Sequence, residues 1–90
     1  MDFEWDEVKR QTNIAKHRVD FQDAQALFDG RPVFTAASRH QQEQRYLTTG
    51  DLGGVLVTVV WVWREGAIRL ISARRARDGE RRAYRAVHGG

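Results

Sequence analysis

The side chains with the greatest capacity for chemistry are the arginines of residues 68–87, IRLISARRARDGERRAYRAV. Arg74, Arg75 and Arg77 close an alternating apolar run, and Arg81, Arg82 and Arg85 follow at helical spacing. A guanidinium stays charged at any working pH and directs two parallel donors onto a phosphate or carboxylate. A row of them leaving a rigid strand and entering a helix suits the gripping of a polyanion, and nucleic acid is the first to consider. Three other residues carry complementary chemistry. His17 offers an imidazole, the side-chain type that titrates nearest neutrality and so serves as acid or base. Tyr84 places a phenol inside the arginine-rich segment, and Arg45 can project from a neighbouring strand.

Each of these has a structural reading beside the chemical one. His17 can simply cap a helix and bond a carbonyl, and Lys16 beside it can be an ordinary helix-end charge. Tyr84 can belong to the core with Ala83 and Val87. Arg69 is expected to be structural, paired with Glu65 or an N-terminal acid. His40 and His88 are expected to be exposed, with no partner at metal-ligand spacing, and Trp61 and Trp63 to be core rather than base-stacking platforms. The whole arginine cluster can also be a solvated face.

Composition narrows the classes. Ninety residues suffice for one domain over 1–90 with a single core. There is no cysteine, which removes disulfides and thiolate zinc sites and fits a reducing cytoplasm. The acidic start (Asp2, Glu4, Asp6, Glu7) has no apolar stretch of the signal-peptide kind. The longest apolar run, Val55 to Trp63, is less than half the ~20 residues of a spanning helix, so a soluble protein without membrane contact is expected. The net charge of +3 is unevenly spread: residues 1–30 hold seven acids and four Lys/Arg, whereas residues 61–90 hold eight Arg and three acids. Glycine-rich phosphate loops and Ser-centred nucleophile motifs are absent, and the N-terminal acids do not form a convincing divalent site. No cofactor or metal is expected.

The elements that must position these residues follow from pattern. Asp2–Trp5 predicts a short strand, and Asp6 caps a helix over 7–17 with Val8, Thr12 and Ala15 as its buried stripe and Ile14 at the margin. Asp20 caps a second helix, Phe21–Phe28, with Phe21, Ala24, Leu27 and Phe28 inward, stopped by Gly30 and Pro32. Both helices are expected on one face of a sheet. Strands are predicted at 33–37, 44–49, 55–63 and 67–73. Residues 38–43 should be a polar, mobile loop, and Gly50 to Gly54 a hairpin turn. Arg45, Leu47 and Thr49 share one face of their strand, with Tyr46 and Thr48 on the other. Val55–Trp63, apolar almost throughout, is the central strand. A last helix starts near Asp78, whose side chain is expected to cap it, and ends at Gly89-Gly90. The class is α+β: one small domain with a twisted antiparallel sheet, two N-terminal helices and a C-terminal helix.

An ordered set of short matches runs through this framework: Phe3-Glu4-Trp5-Asp6, Asn13 with Lys16-His17, Val19 and Phe21, Ala24 and Phe28-Asp29, Arg45-Tyr46-Leu47-Thr48 with Gly50, Ile68 to Arg74, and Glu80 to Tyr84. In that order, over residues 3 to 87, the chain resembles the BrnT family of type II toxin–antitoxin toxins. The resemblance implies a RelE-like ribonuclease fold and an endoribonuclease that inhibits translation. It also implies a cognate antitoxin of ribbon-helix-helix type, a two-plus-two heterotetramer, and repression of the shared operon through operator DNA. Where the family commonly has Gly after Lys-His, this chain has Arg18. If the backbone there needs positive φ, the arginine carries a cost of roughly 1 kcal/mol.

On that reading, internal cleavage of RNA requires the 2′-OH to be deprotonated, the pentavalent phosphate stabilised and the 5′-oxygen protonated. Arg74 and Arg75 end the strand on opposite faces and Arg45 can project from a neighbouring strand; two or three of them converging on one phosphate would stabilise its developing charge in the manner of an oxyanion hole. His17 is the candidate acid or base and Tyr84 a proton donor or substrate ligand. Lys16, Arg77, Arg81 and Arg82 are the candidate RNA-binding residues. Two competitors stay open: a non-catalytic module that holds RNA or an acidic partner, and a degenerate toxin kept as a repressor subunit.

Overall fold

The computed structural model describes residues 1–89. Its organising strand is β4 (Val55–Arg64), flanked by β5 (Ala67–Arg75) and β3 (Glu43–Leu52). The edges are β1 (Asp2–Glu4) beside β5 and β2 (Val33–His40) beside β3, giving the order β1-β5-β4-β3-β2. Strands β2 to β5 form an antiparallel meander, but β1 pairs parallel to β5, so the sheet is mixed rather than wholly antiparallel. Local patterning carries no information about that pairing, because the partners are more than sixty residues apart.

Helix α1 (Glu7–His17) starts at Asp6, whose carboxylate accepts from the Val8 and Lys9 amides, as its position predicts. The short α2 (Phe21–Ala24) is capped by Asp20 and tightens into a 3-10 turn over Gln25–Phe28. Phe21, Ala24 and Leu27 are buried against Val57, Val59, Trp61, Ile68, Leu70 and Ala73 of the sheet. Fully burying a side chain of Leu or Phe size stabilises by about 1.5–3 kcal/mol, so this interface is the main cohesive element. α3 (Asp78–His88) lies on the other face, over β2 and β3.

Several expectations need correction. The inward stripe of α1 is not Val8, Thr12 and Ala15: Val8 is 75% exposed, and the buried residue is Asn13. The Asn13 amide accepts from the Ala73 N–H, and its Nδ2 donates to the carbonyls of Ala73 and Val19. β1 reaches only as far as Arg69, so the β5 edge beyond it would otherwise be left with unpaired backbone groups. Pairing that edge sets the rotation of α1, in preference to burying Val8.

The predicted loop at 38–43 is strand. β2 continues to His40, and Gln41-Gln42 form a two-residue turn with both φ positive (49° and 66°). The polarity of this segment reflects exposure on a projecting hairpin rather than mobility. Likewise β3 runs on to Leu52, the turn is Gly53-Gly54 alone, and Gly50 lies within the strand. A Cβ on Gly50 would meet Leu27 Cδ2 and Val33 Cγ1 at 3.0 Å, so a larger residue there would have to push these side chains aside, and the glycine suits the close seat of the 3-10 turn. Trp61 is buried, bonding Thr48 Oγ1 through Nε1 and stacking on Tyr46, but Trp63 is 53% exposed. Arg69 pairs with Glu4 at 2.8 Å, so of the two partners expected for it the N-terminal acid, not Glu65, is the one observed. Asp78 is the first residue of α3, not its cap. It pairs with Arg81, while Glu80 reaches back to the Arg77 N–H. Gly89 ends the helix with positive φ, and Gly90 lies outside the described residues.

Candidate active site

Two consecutive residues leave the end of β5 on opposite faces. Arg74 lies opposite Thr58 of β4 and Arg75 opposite Val57. Because a strand alternates its side chains, Arg74 turns toward α3 and Arg75 toward the face of α1 and α2.

Arg74 meets Glu80. Its two terminal nitrogens donate to the two carboxylate oxygens at 2.8 and 2.9 Å, and its side chain is only 12% exposed. Glu80 also accepts from the Arg77 N–H at 2.8 Å and from Thr58 Oγ1 at 2.9 Å, and Thr58 is linked in turn to Thr49. Burial alone would raise the Glu80 carboxyl, but the bonds from Arg74, the Arg77 amide and Thr58 outweigh it and hold the carboxyl down at about 2. One carboxylate thus starts α3, ties it to the sheet and neutralises Arg74.

Arg75 is exposed, and the ion pairs among the described residues leave it out. It forms the shared wall of two clefts. One, of about 770 Å³, runs between the α1–α2 junction and the β3–β4 turn, with His17, Arg18 and Asp23 on its sides and Val55 and Val57 on its apolar floor. The other, of about 450 Å³, is more polar and lies against α3, lined by Arg81, Tyr84 and Arg85.

The α1–α2 junction that carries His17 is braced. Arg10 grips Asp20 through Nε (2.7 Å) and a terminal nitrogen (2.9 Å), and it reaches Glu7 as well. The guanidinium holds the Asp20 carboxyl below its ordinary value. Arg18, between the helices, has φ 61° and ψ 27°, the left-handed conformation that a glycine would adopt without strain. The conditional cost attached to this position is therefore incurred.

The remaining candidates are distributed unevenly. Lys16 is not in the cleft with Arg75; it lines a smaller hollow of about 230 Å³ beside Ser72, which His17 also lines. Arg77 and Arg82 are exposed near α3's first turns, whereas Arg81 is partly engaged by Asp78 and the Ala76 carbonyl. Tyr84 is half-buried, with its ring 4.9 Å from that of His88. His88 is exposed, as expected, and its Nε2 donates to the Val33 carbonyl at 2.7 Å.

The expected convergence of Arg45, Arg74 and Arg75 does not occur. Arg74 and Arg75 face opposite ways, and Arg45 is paired with Glu43 at 3.1 Å near the other end of the sheet. Its neighbour Tyr46 lies opposite Trp61, four residues along β4 from the partner of Arg75. At about 3.3 Å per residue that separation is roughly 13 Å. Arg18, Gln22 and Asp23 line the first cleft without being among the candidate site residues, and Arg85, which belongs to the arginine row of residues 68–87 but not to the candidate RNA-binding set, lines the second. For Arg85 the signal was present, since it lies one helical turn beyond Arg81 and Arg82.

Among the described residues no three His, Asp or Glu side chains gather at metal-ligand spacing, and no helix is long and apolar enough to cross a membrane. The fold and the site define a small α+β protein with a two-part cleft joined by one free arginine. A family profile described as ribonuclease toxin, BrnT, of type II toxin–antitoxin system matches residues 5–80. The chain belongs to that family, whose toxins act opposite a protein antitoxin. A search of curated proteins finds no match. The matched span includes His17, Arg45, Arg74 and Arg75, and it ends before Arg81, Arg82 and Tyr84.

Proposed function

We propose that the chain is a RelE-like endoribonuclease toxin that cuts mRNA by metal-independent attack of a ribose 2′-OH, and so inhibits translation in the cytoplasm. The observation that carries this reading is the position of Arg75, a free guanidinium between a cleft lined by His17 and a cleft lined by Tyr84 and Arg85. A single strand crossing Arg75 has its scissile phosphate at that residue, one neighbouring nucleotide over the apolar floor and the other along α3. His17 takes the 2′-OH proton as the 2′-oxygen attacks phosphorus and the P–O5′ bond breaks. The products are a 2′,3′-cyclic phosphate and a 5′-hydroxyl, the latter receiving its proton from Tyr84 or water. Arg75 stabilises the charge that builds on the phosphoryl oxygens. Arg77, Arg81, Arg82 and Arg85 hold flanking phosphates, and Lys16 extends the track beyond His17. In this scheme Arg74 supports the site by fixing α3, and Arg45 lies away from the scissile bond.

The antitoxin completing the system is of ribbon-helix-helix type, in a two-plus-two assembly that represses its own operon. The non-catalytic alternative draws on one observation: with Arg74 neutralised by Glu80, only one guanidinium is left at the centre. The experiment that separates the readings incubates the protein with a defined RNA in excess EDTA, beside the same RNA carrying 2′-deoxy positions. Cutting of the ribose substrate alone, with cyclic phosphate ends, supports the enzyme. Tight, salt-sensitive binding without cutting, together with harmless expression in cells lacking antitoxin, supports the binding module.

A further inference from the structure

The two edges of the sheet are treated differently. On the β5 side, β1 covers Ala67 to Arg69 and the Asn13 amide closes Ala73. On the other side, β2 presents an eight-residue edge, and Thr35 to His40 are exposed throughout. A long open edge invites another strand, and proteins ordinarily blunt it with Lys, Pro, a bulge or a covering element. None of these interrupts Val33–Ser38 (VFTAAS), and its pairing with β3 runs in unbroken register.

The direction of the free groups follows from the turn. Gln41-Gln42 is a two-residue hairpin loop, so the flanking pair His40–Glu43 exchanges both hydrogen bonds. Even-numbered residues of β2 are thus bonded to β3, and Thr35, Ala37 and Arg39 direct their N–H and C=O groups outward. The Val33 carbonyl, of the same parity, is taken by His88. What remains is about six residues of open ladder, roughly 20 Å long.

We propose that this edge is the docking site for an extended segment of the protein antitoxin, added as a sixth strand beside β2. The proposal rests on membership of the toxin–antitoxin family and not on the RNA chemistry. A second copy of the chain fits less well. Antiparallel pairing of two β2 edges would drive the Gln41-Gln42 turn of each copy against the His88–Val33 contact of the other. A separate strand needs to cover only Thr35 to His40 and can stop short of His88. The open part of the edge bears Arg39 and His40 and no acid, so the complementary strand carries carboxylates at its end nearest the turn.

The test uses amide hydrogen exchange on the full chain, alone and bound to its cognate antitoxin, together with Ala37→Pro. Proline at 37 removes an outward N–H and leaves the bonds to β3 intact. Slowed exchange at Thr35, Ala37 and Arg39 in the complex is expected, along with an antitoxin affinity lowered about tenfold or more in the variant, consistent with losing main-chain bonds. RNA cleavage by the free variant should be unchanged. A stable complex in which those amides exchange as in the free chain overturns the proposal and leaves the ribonuclease reading standing, whether or not the variant folds. Protection in the free chain at high concentration, with doubled mass by light scattering, makes a second copy the occupant and also overturns it. A chain whose edge is protected by antitoxin but which cuts no RNA sinks the ribonuclease reading alone.

Discussion

Arg74 and Arg75 are chemically identical neighbours with opposite circumstances. Arg74 is nearly buried, bonded on both terminal nitrogens to Glu80, and carries its charge into a network through Thr58 to Thr49. Arg75 is exposed, outside every ion pair among the described residues, and borders both clefts. The difference is made by the pleat of one strand and the placement of one carboxylate. A guanidinium already satisfied by a carboxylate has little capacity left for a phosphate, so the count of arginines near a site overstates its catalytic charge.

The widest separation between the pair should appear in rate. Arg75→Ala is expected to lower single-turnover RNA cleavage by about 10²–10³-fold, the scale seen when one stabiliser of transition-state charge is removed. Its melting temperature should stay near that of the parent, because exposed side chains without partners contribute little to stability. Arg74→Ala should invert the pattern. It leaves the Glu80 carboxylate partly buried without its main partner, and a loss of about 2–4 kcal/mol is expected by denaturant titration. Cleavage per folded molecule should change far less than for Arg75→Ala. Equal rate losses in both variants would erase the distinction and restore Arg74 to the chemistry.

Acid sharpens the contrast next. The Glu80 carboxyl lies at about 2 in the folded chain against an ordinary 4.5. The unfolded chain therefore binds the proton first as pH falls. The stabilisation is fully present above about 4.5 and is lost progressively toward 2. At about 1.4 kcal/mol per unit the full shift is an upper bound, and because the carboxylate is only partly buried, screening by solvent brings the expected contribution to about 1–2 kcal/mol. Urea titrations between pH 6 and 2.5 should show that slope in the parent and a shallower one in Glu80→Gln. An unchanged slope would mean that Glu80 is not the carboxylate holding α3.

The parts of this arrangement that were legible in advance were local ones. Asp6 and Asp20 as caps, the two faces of β3 and the central place of β4 follow from hydrogen-bonding chemistry and periodicity within a few residues. What escaped depends on partners distant in sequence. β1 joins β5 in parallel because the chain returns to that edge sixty residues later, and Asn13 turns α1 toward Ala73 for the same reason. The fate of Arg74 was closer to hand. Glu80 lies three residues after Arg77, the spacing at which a helix's first-turn acid bonds back to the preceding amide. Such an acid is held beside the strand end, and Arg74 is within its reach. A carboxylate at that spacing should have counted against the free charge of the strand-end arginines.

The smallest expected effect concerns the opposite wall of the first cleft, where Arg18 plays a part intermediate between its two relatives. Its backbone is left-handed, which disfavours a residue with a Cβ, yet its side chain lines the same cleft as Arg75 and His17. Arg18→Gly removes the conformational penalty but loosens the unfolded chain, so a net gain of about 0.5 kcal/mol in stability is expected. If the guanidinium also helps to hold RNA, the same variant should bind less tightly, with the salt slope of binding reduced by about one unit. A gain in stability with unchanged binding would make Arg18 a strained substitution at a helix end and leave Arg75 the sole cation facing the phosphate. A loss in binding would show that the strain is retained for a contact, and that the free charge in this cleft comes from two arginines rather than one.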